Sequence, residues 1–355
     1  MKALFRVTAP GPLTTIQDLG RPGHARLGVP GGGAADPEAA RMVNLALGND
    51  ENAPVLEVTF AHPALVAQES TVVAVSPGPA LLHNGEVLPP FVPRLVRSGD
   101  LLAPAPVPGL NGWRSMRSYL AVLGGFNVPL VLGGRGTFLP AAMGGPAGRP
   151  LQAGDLLLGV TPGEAALRLA VARPGLTVPP DFSPPAGQPW LIRFVWGPHA
   201  ALFDPQDRLL FTRSLFVAGP ETDRTGIRLS GPPIVPRVKG VASCGVPTGT
   251  LQVPADGQPI LLLPDHQTTG GYPIIGVVVA DDLPRLGRIA PQDTIMFLPV
   301  PLGQARAHVP RFWHVRVAGE NFSVGVWEES RSAGAKGRKT AVGRDVLSPY
   351  GRERS

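Results

Sequence analysis

The sequence predicts a mainly β chain with few, short helices, divided into two β-rich domains. Three observations carry this prediction. The hydrophobic residues, 43% of the chain, come in short runs separated by turn residues, and the 45 glycines and 43 prolines sit between those runs. That much Gly and Pro without apolar runs would point to disorder; with them it is the pattern of many short strands. Convincing helix starts are rare. Finally, a proline-rich stretch, 173–188, with Pro174, Pro179, Pro180, Pro184 and Pro185, reads as a linker between a first β-rich domain, 1–172, and a second, 189–327. A chain of 355 residues is long enough for two cores.

In the first domain, Phe5 to Val7 begins the first strand. Gly11 to Gly23 then sets Gln17, Asp18 and Arg21 among glycines and prolines, which makes a shaped loop. Asp18 and Arg21 either pair with each other or leave Arg21 to present its planar fork to a carboxylate. Gly31, Gly32 and Gly33 suggest a phosphate loop, but Ala34-Ala35-Asp36 follows where the Walker pattern needs Lys-Ser/Thr. Asp36-Pro37-Glu38 instead starts a helix: an N-cap, a proline in the first position, an acid in the first turn, and Gly48 as the stop. The glycine triplet ahead of it leaves backbone N–H groups for an anionic ligand. Val55 to Phe60 alternates as a strand, and Asn84-Gly85 signals a hairpin. His62 and His83 fall at turn-like positions without a second histidine at ligand spacing, so both read as turn or surface residues. Arg117 to Leu123 is a strand running into Gly124-Gly125, and Arg135 follows inside Leu132 to Thr137.

The second domain opens with a strand at Trp190 to Val195 and a short helix within His199 to Leu210. Glu221 to Leu229 is a polar turn entering a strand, Asp281 to Leu286 a helical turn, Thr294 to Pro299 the last clear strand, and Trp313 to Trp327 an edge hairpin. The net charge of +6 is local: residues 331–355 carry seven basic side chains against Asp345 and Glu353, leaving +1 over the rest. That tail, 328–355, reads as disordered, and with few aromatics nearby nucleic-acid binding is not expected. Cys244 is the single cysteine, which excludes an intrachain disulfide and a multi-cysteine metal site; it reads as a buried, inert thiol. No metal centre is expected. No signal-like or membrane-length apolar segment is present, which predicts a cytoplasmic protein.

The richest stretch is Gly249 to Pro273. Leu251 and Val253 alternate with Gln252, Gln258 follows a turn, and Ile260 to Leu263 is a fully apolar run. Straight after it come Asp265, His266, Gln267, Thr268, Thr269, Gly270, Gly271 and Tyr272. Gly270-Gly271 is either a hairpin connection into Ile274 to Ala280 or part of a site at the end of a rigid strand. The density of uncharged polar groups, Gln252, Gln258, Gln267, Thr268 and Thr269, suits a neutral polar ligand better than a solvated surface.

Several long motifs, TTIQDLGRPG (14–23), GVPGGGAADPEAARMVNLALGN (28–49), LGGRGT (132–137), TDRTGIRL (222–229), GTLQVPADGQPILLLPDHQTTGGYP (249–273) and ADDLPRLGRIAPQD (280–293), occur in order. With them the chain resembles the family of 5-oxoprolinase C subunits, also called allophanate hydrolase subunit 2 or the biotin-dependent carboxyltransferase family. The resemblance implies two β-barrel-like domains, the second cyclophilin-like. It also implies ATP-dependent opening of 5-oxoproline to glutamate together with the A and B subunits of 5-oxoprolinase. Relatives fused to a biotin carboxylase move a carboxyl group from carboxybiotin to urea, and others are regarded as non-catalytic regulators that bind a kinase inhibitor. Gly31 to Gly33 and Ala35 depart from the family, which commonly has a polar residue and a methionine there.

On the oxoprolinase reading, Gln17, Asp18, Arg21, Arg135, Gln252, Gln258, Gln267, Thr268, Thr269, Gly270 and Gly271 are the expected substrate-binding residues. Arg21 or Arg135 would take a carboxylate, and Asp265 or Tyr272 would serve in proton transfer. No phosphate loop is present, so ATP is expected on a partner or in a shared site. Ala142-Met143-Gly144-Gly145 is not a biotin-attachment turn, so biotin would arrive on another chain.

Overall fold

The computed structural model describes residues 1–105, 115–179 and 182–306, and the backbone of 312–317 and 320–325. Two sheets enclose the first core. One has six strands in the order Leu156–Gly159, Lys2–Ala9, Ala64–Ala67, Leu101–Pro104, Leu81–His83, Glu86–Val87; the other has five in the order Leu13–Gln17, Val55–Thr59, Arg117–Val122, Thr71–Val75, Arg94–Val96. Alternation puts Leu56 and Val58 into the space between them, where they join Leu4, Val7, Ile16, Leu120 and Val122; Leu4 and Val7, an odd number of residues apart, both reach this core from a strand whose register is irregular.

Helix α1, Pro37–Leu47, covers the other face of the five-stranded sheet, burying Ala39, Met42, Val43 and Ala46 against Val55, Val72 and Tyr119. Its ends are as expected: the Asp36 side chain accepts from Ala39 N, and Gly48 closes the helix with φ 74°. Helix α2, Glu164–Val171, has no strong sequence signal; its N-cap is Gly163, and it buries only Ala170. The 173–188 stretch does not hang free where it is described. Leu176 N donates to Phe91 O, Phe182 is buried in the α1 layer, and Arg173 donates to the Leu45 and Ala46 carbonyls at the end of α1.

The second domain is a closed seven-strand barrel in the order Trp190–Trp196, Ile274–Val278, Thr250–Gln252, Ile260–Leu262, Gly226–Ser230, Phe216–Ala218, Thr294–Pro299. Closure comes from the parallel pairing of Trp190–Trp196 with Thr294–Pro299 and leaves no open barrel edge. The interior is aromatic: Phe211 stacks on Phe297 at 4.9 Å between ring centroids, and Phe194 meets Phe211 edge-on at 5.4 Å. Contacts of this kind contribute about 0.5–1.5 kcal/mol each beyond area burial. Helix α3, Pro205–Arg213, supplies Phe211; it overlaps the helix expected within His199 to Leu210 but begins at Pro205 and runs three residues past Leu210. Phe312–Val317 and Glu320–Gly325 pair antiparallel, as the edge hairpin predicts. The basic tail, 328–355, lies outside the described residues.

Two histidine expectations and the cysteine need correction. His62 is not at the surface: it is buried, with Nε2 2.7 Å from Ser118 Oγ. His83 lies in a strand and pairs with Asp100 at 2.8 Å. Cys244 is half-exposed, because its short strand, Cys244–Gly245, pairs with Thr269–Gly270 outside the barrel wall. Burial lowers the His62 pKa from 6.5 to about 3. Between those values the unfolded chain holds more protons than the folded one, so stability falls as pH drops from 6.5 towards 3. In His62→Gln, calorimetry across that window is expected to give a shallower loss of melting temperature; an unchanged slope contradicts this.

Candidate functional site at the domain seam

The two domains meet over a buried ionic layer. Glu57, at the centre of a strand whose five residues are all buried, is its hub. Glu57 accepts from Tyr119 Oη (2.8 Å), Ala35 N (2.8 Å) and, from the second domain, Arg224 Nη1 (2.6 Å). Arg224 also holds Asp265 through Nε (2.7 Å) and Nη2 (2.9 Å), and donates to the Gly33 carbonyl (2.6 Å). Beside it, Arg288 holds Asp36 (2.6 Å) and Glu38, and Arg117 donates to the Gly287 carbonyl (2.9 Å). Burial acts to raise the Glu57 carboxyl, but the Arg224 and Arg117 charges outweigh it and hold it below its usual range. Burial opposes charge on Arg224, yet Glu57 and Asp265 hold it protonated.

This layer fixes two loops against each other. Gly32 N donates to the Pro264 carbonyl across the seam (3.2 Å), and Arg21 N donates to the Gly31 carbonyl (2.7 Å). Gly33 has φ +82°, and a Cβ there would lie within 2.6–2.8 Å of the Leu19–Gly20 backbone, so only glycine allows the approach. A Cβ on Gly32 would sit 3.5 Å from Arg21 Nη1 and 3.7 Å from Asp265 Oδ1. Gly32 is therefore where the first-domain cluster and the Pro264–Gly271 loop come together. After the barrel strand Ile260–Leu262, His266 N donates to Leu263 O (3.0 Å), a turn that delivers Asp265 and His266 to the seam.

The expected residues divide into groups. Asp18 and Arg21 do not pair. Asp18 accepts from the Gly20 and Arg135 backbone N–H groups, while Arg21, buried, donates from Nη2 to the Gly136 carbonyl and leaves Nη1 towards Gly32. Gln17 is buried, donating to Thr15 and to the Thr137 carbonyl, with Oε1 unpartnered. The Arg135 side chain is half-buried and makes no hydrogen bond or ion pair with any described residue. Gln252 is 1% exposed; its Oε1 accepts from Gln267 Nε2 at 3.2 Å, and its own Nε2 has no partner. Gly270 leaves the room that amide occupies, since a Cβ there would be 2.3 Å from Gln252 Nε2. Thr268 and Gly271 are half-buried beside it; Thr269 is exposed on the short strand that pairs with Cys244–Gly245. The connection is thus not a tight hairpin, because Ile260–Leu262 and Ile274–Val278 each pair with Thr250–Gln252 rather than with each other.

Gln258 stands apart from the cluster. It precedes the strand whose other end leads to Asp265, and its amide closes on the Gly231 backbone at 2.9 and 3.2 Å. Asp265 has both oxygens on Arg224, an arrangement that positions the loop, and Tyr272 is 46% exposed with no side-chain hydrogen bond among the described residues. The sequence reading did not pick out Glu57, Arg224, Arg288 or His266. The available signals were an acid in the middle of an apolar strand, an arginine two residues before Gly226 in one quoted motif, and an arginine directly after Gly287 in another. Surface concavities of about 420 Å³ (beside His83 and Arg94) and about 330 Å³ (beside Pro184 and Trp190) lie away from this cluster. Among the described residues, no group of three or more His, Cys, Asp or Glu is placed to hold a metal ion.

Fold and site together define a two-domain β protein with a polar site where the domains join. The chain belongs to the carboxyltransferase family: the model described as carboxyltransferase domain, subdomain A and B, matches residues 27–299. The 5-oxoprolinase C subunit of Escherichia coli is 33% identical over 85% of this chain and 93% of its own length. The urea amidolyase of Lachancea kluyveri is also 33% identical over 85% of this chain, which spans only 17% of that relative. Among solved structures, the urea carboxylase of Kluyveromyces lactis superposes with a TM-score of 0.75 at 30% identity, covering 86% of this chain and 28% of that one. The motif resemblance is borne out, as is the mainly β architecture.

Proposed function

We propose that this chain is a subunit of an ATP-dependent 5-oxoprolinase, contributing part of the site in which 5-oxoproline is opened to glutamate. The observation that carries the reading is coverage: the similarity extends over 93% of the Escherichia coli 5-oxoprolinase C subunit but over 17% of the urea amidolyases. The site chemistry agrees. Gln252 and Gln267 present neutral amide groups complementary to a lactam, and Arg21 Nη1 and Arg135 are unpaired cationic groups for its carboxylate.

ATP does not fit the glycine loop. Gly32, Ala34, Ala35 and Asp36 already donate their N–H groups to Pro264, Asp18, Glu57 and Tyr119, and Asp36 and Glu38 place carboxylates at the helix start. Its phosphates are therefore assigned to the partners, the A and B subunits of 5-oxoprolinase. A second reading, carboxyl transfer to urea or a similar amide from biotin carried on another chain, is favoured by the likeness to the K. lactis urea carboxylase.

The test is ATP-dependent release of glutamate from 5-oxoproline by the reconstituted subunits, with each omitted in turn. Loss of release on omitting this chain is expected; undiminished release overturns the reading. Carboxylation of urea by the same chain with carboxybiotin would favour the second.

A further inference from the structure

We propose that His266 is the base that removes the amide proton of the substrate; the assignment rests on the amide-ligand reading of the seam. His266 sits between Asp265, fixed by Arg224, and Gln267, hydrogen-bonded to the unsatisfied Gln252. The residue is 5% exposed. Nδ1 contacts the Gln267 carbonyl, and a carbonyl only accepts, so the proton is on Nδ1 and the lone pair on Nε2. Among the described residues Nε2 has no hydrogen-bond or ion-pair partner, and it is not sealed from solvent. A held ring with one open lone pair, on the loop that carries the amide-binding side chain, has the geometry of a general base.

The other candidates on the loop are worse placed. Asp265 has both oxygens on Arg224, and Tyr272 is exposed, with no hydrogen bond from its hydroxyl among the described residues. The charged group that acts on the ring is Asp265 on its own loop; Asp265 is held by Arg224 of the same domain, and Arg224 in turn reaches Glu57 across the seam. Burial lowers the affinity of His266 for a proton, against smaller raising effects from the Gln267 carbonyl and Asp265, so the neutral form is available at neutral pH.

In the step, Nε2 takes the proton from the lactam nitrogen. The N–H electron pair becomes the C=N bond of an imidate, while the carbonyl oxygen bonds the phosphoryl group of ATP held by the partner. The bridging P–O bond breaks, and ADP leaves with its electron pair.

The experiment uses the assembled complex with His266→Asn and His266→Gln. Asparagine keeps a donor where Nδ1 stands but has no basic lone pair. Both variants are expected to lose about 10²- to 10⁴-fold in kcat, to hold 5-oxoproline as tightly in equilibrium dialysis, and to lose the acid limb of the pH–kcat profile. Turnover within about twofold of the parent by either variant overturns the proposal. So does a melting temperature well below the parent's in both variants, which would make the ring structural. If the parent complex releases no glutamate, the oxoprolinase reading fails independently. The variants are then compared in carboxyl transfer to urea, where an amide N–H must also be lost; undiminished transfer overturns the base.

Discussion

Arg224→Met is expected to lower the unfolding free energy by about 3–5 kcal/mol, the usual consequence of leaving a buried charge without its partner. Two carboxylates are affected, not one: Glu57 and Asp265 are 2% and 6% exposed, and both accept from this guanidinium. The Gly33 carbonyl loses its donor as well. Because Glu57 belongs to the first domain and Asp265 to the second, the variant loosens the seam itself. Arg224→Lys keeps the charge but cannot hold three partners in a planar fork, so only part of the stability should return. Urea denaturation followed by tryptophan fluorescence measures both. A change within about 0.5 kcal/mol for methionine, the range of an ordinary surface substitution, would show that the seam does not depend on this ion network.

Gln252→Met should separate stability from activity. The Gln252 Nε2 donor is buried without an acceptor, a situation that is destabilising by about 1–3 kcal/mol in the free chain. An unbranched apolar side chain of similar size removes that burden. Its one lost hydrogen bond is to Gln267, which is exposed and can turn to water. The melting temperature is therefore expected to stay level or rise, while 5-oxoproline turnover by the assembled subunits falls about five- to a hundredfold. Equal loss of both would make Gln252 a packing residue. Unchanged turnover would show that its donor meets no substrate group.

Much of the scaffold was legible because it follows from local rules. Apolar runs between Gly and Pro turns gave the strands, and Asp36-Pro37-Glu38 with Gly48 gave α1 with both caps in place. Helix α2 escaped because Gly163 is a weak cap and its apolar face is mostly exposed. The polar stretch 264–271 was legible as a run of neutral hydrogen-bonding residues that follows an apolar strand, and it is the stretch that meets the first-domain loops at Gly32. What could not be read was how the two domains register on each other. Glu57 looked like the outward residue of an alternating strand, but the covering domain turns that face inward and gives the carboxylate Arg224. Asp265 looked free to move protons for the same reason. Its partner lies 41 residues earlier in the chain, and no local pattern predicts the pairing. His62 was misjudged because the turn that carries it folds under Ser118.

The central claim is that the Pro264–Gly271 loop, pinned at the seam, grips an amide-like ligand whose activation another polypeptide completes. A crystal structure of the assembled subunits with 5-oxoproline and a non-hydrolysable ATP analogue tests this most directly. The account predicts the lactam oxygen within hydrogen-bonding reach of Gln252 Nε2, with the nucleotide phosphates on a partner chain. A lactam bound wholly by the partners, with the Pro264–Gly271 loop facing water, would contradict it.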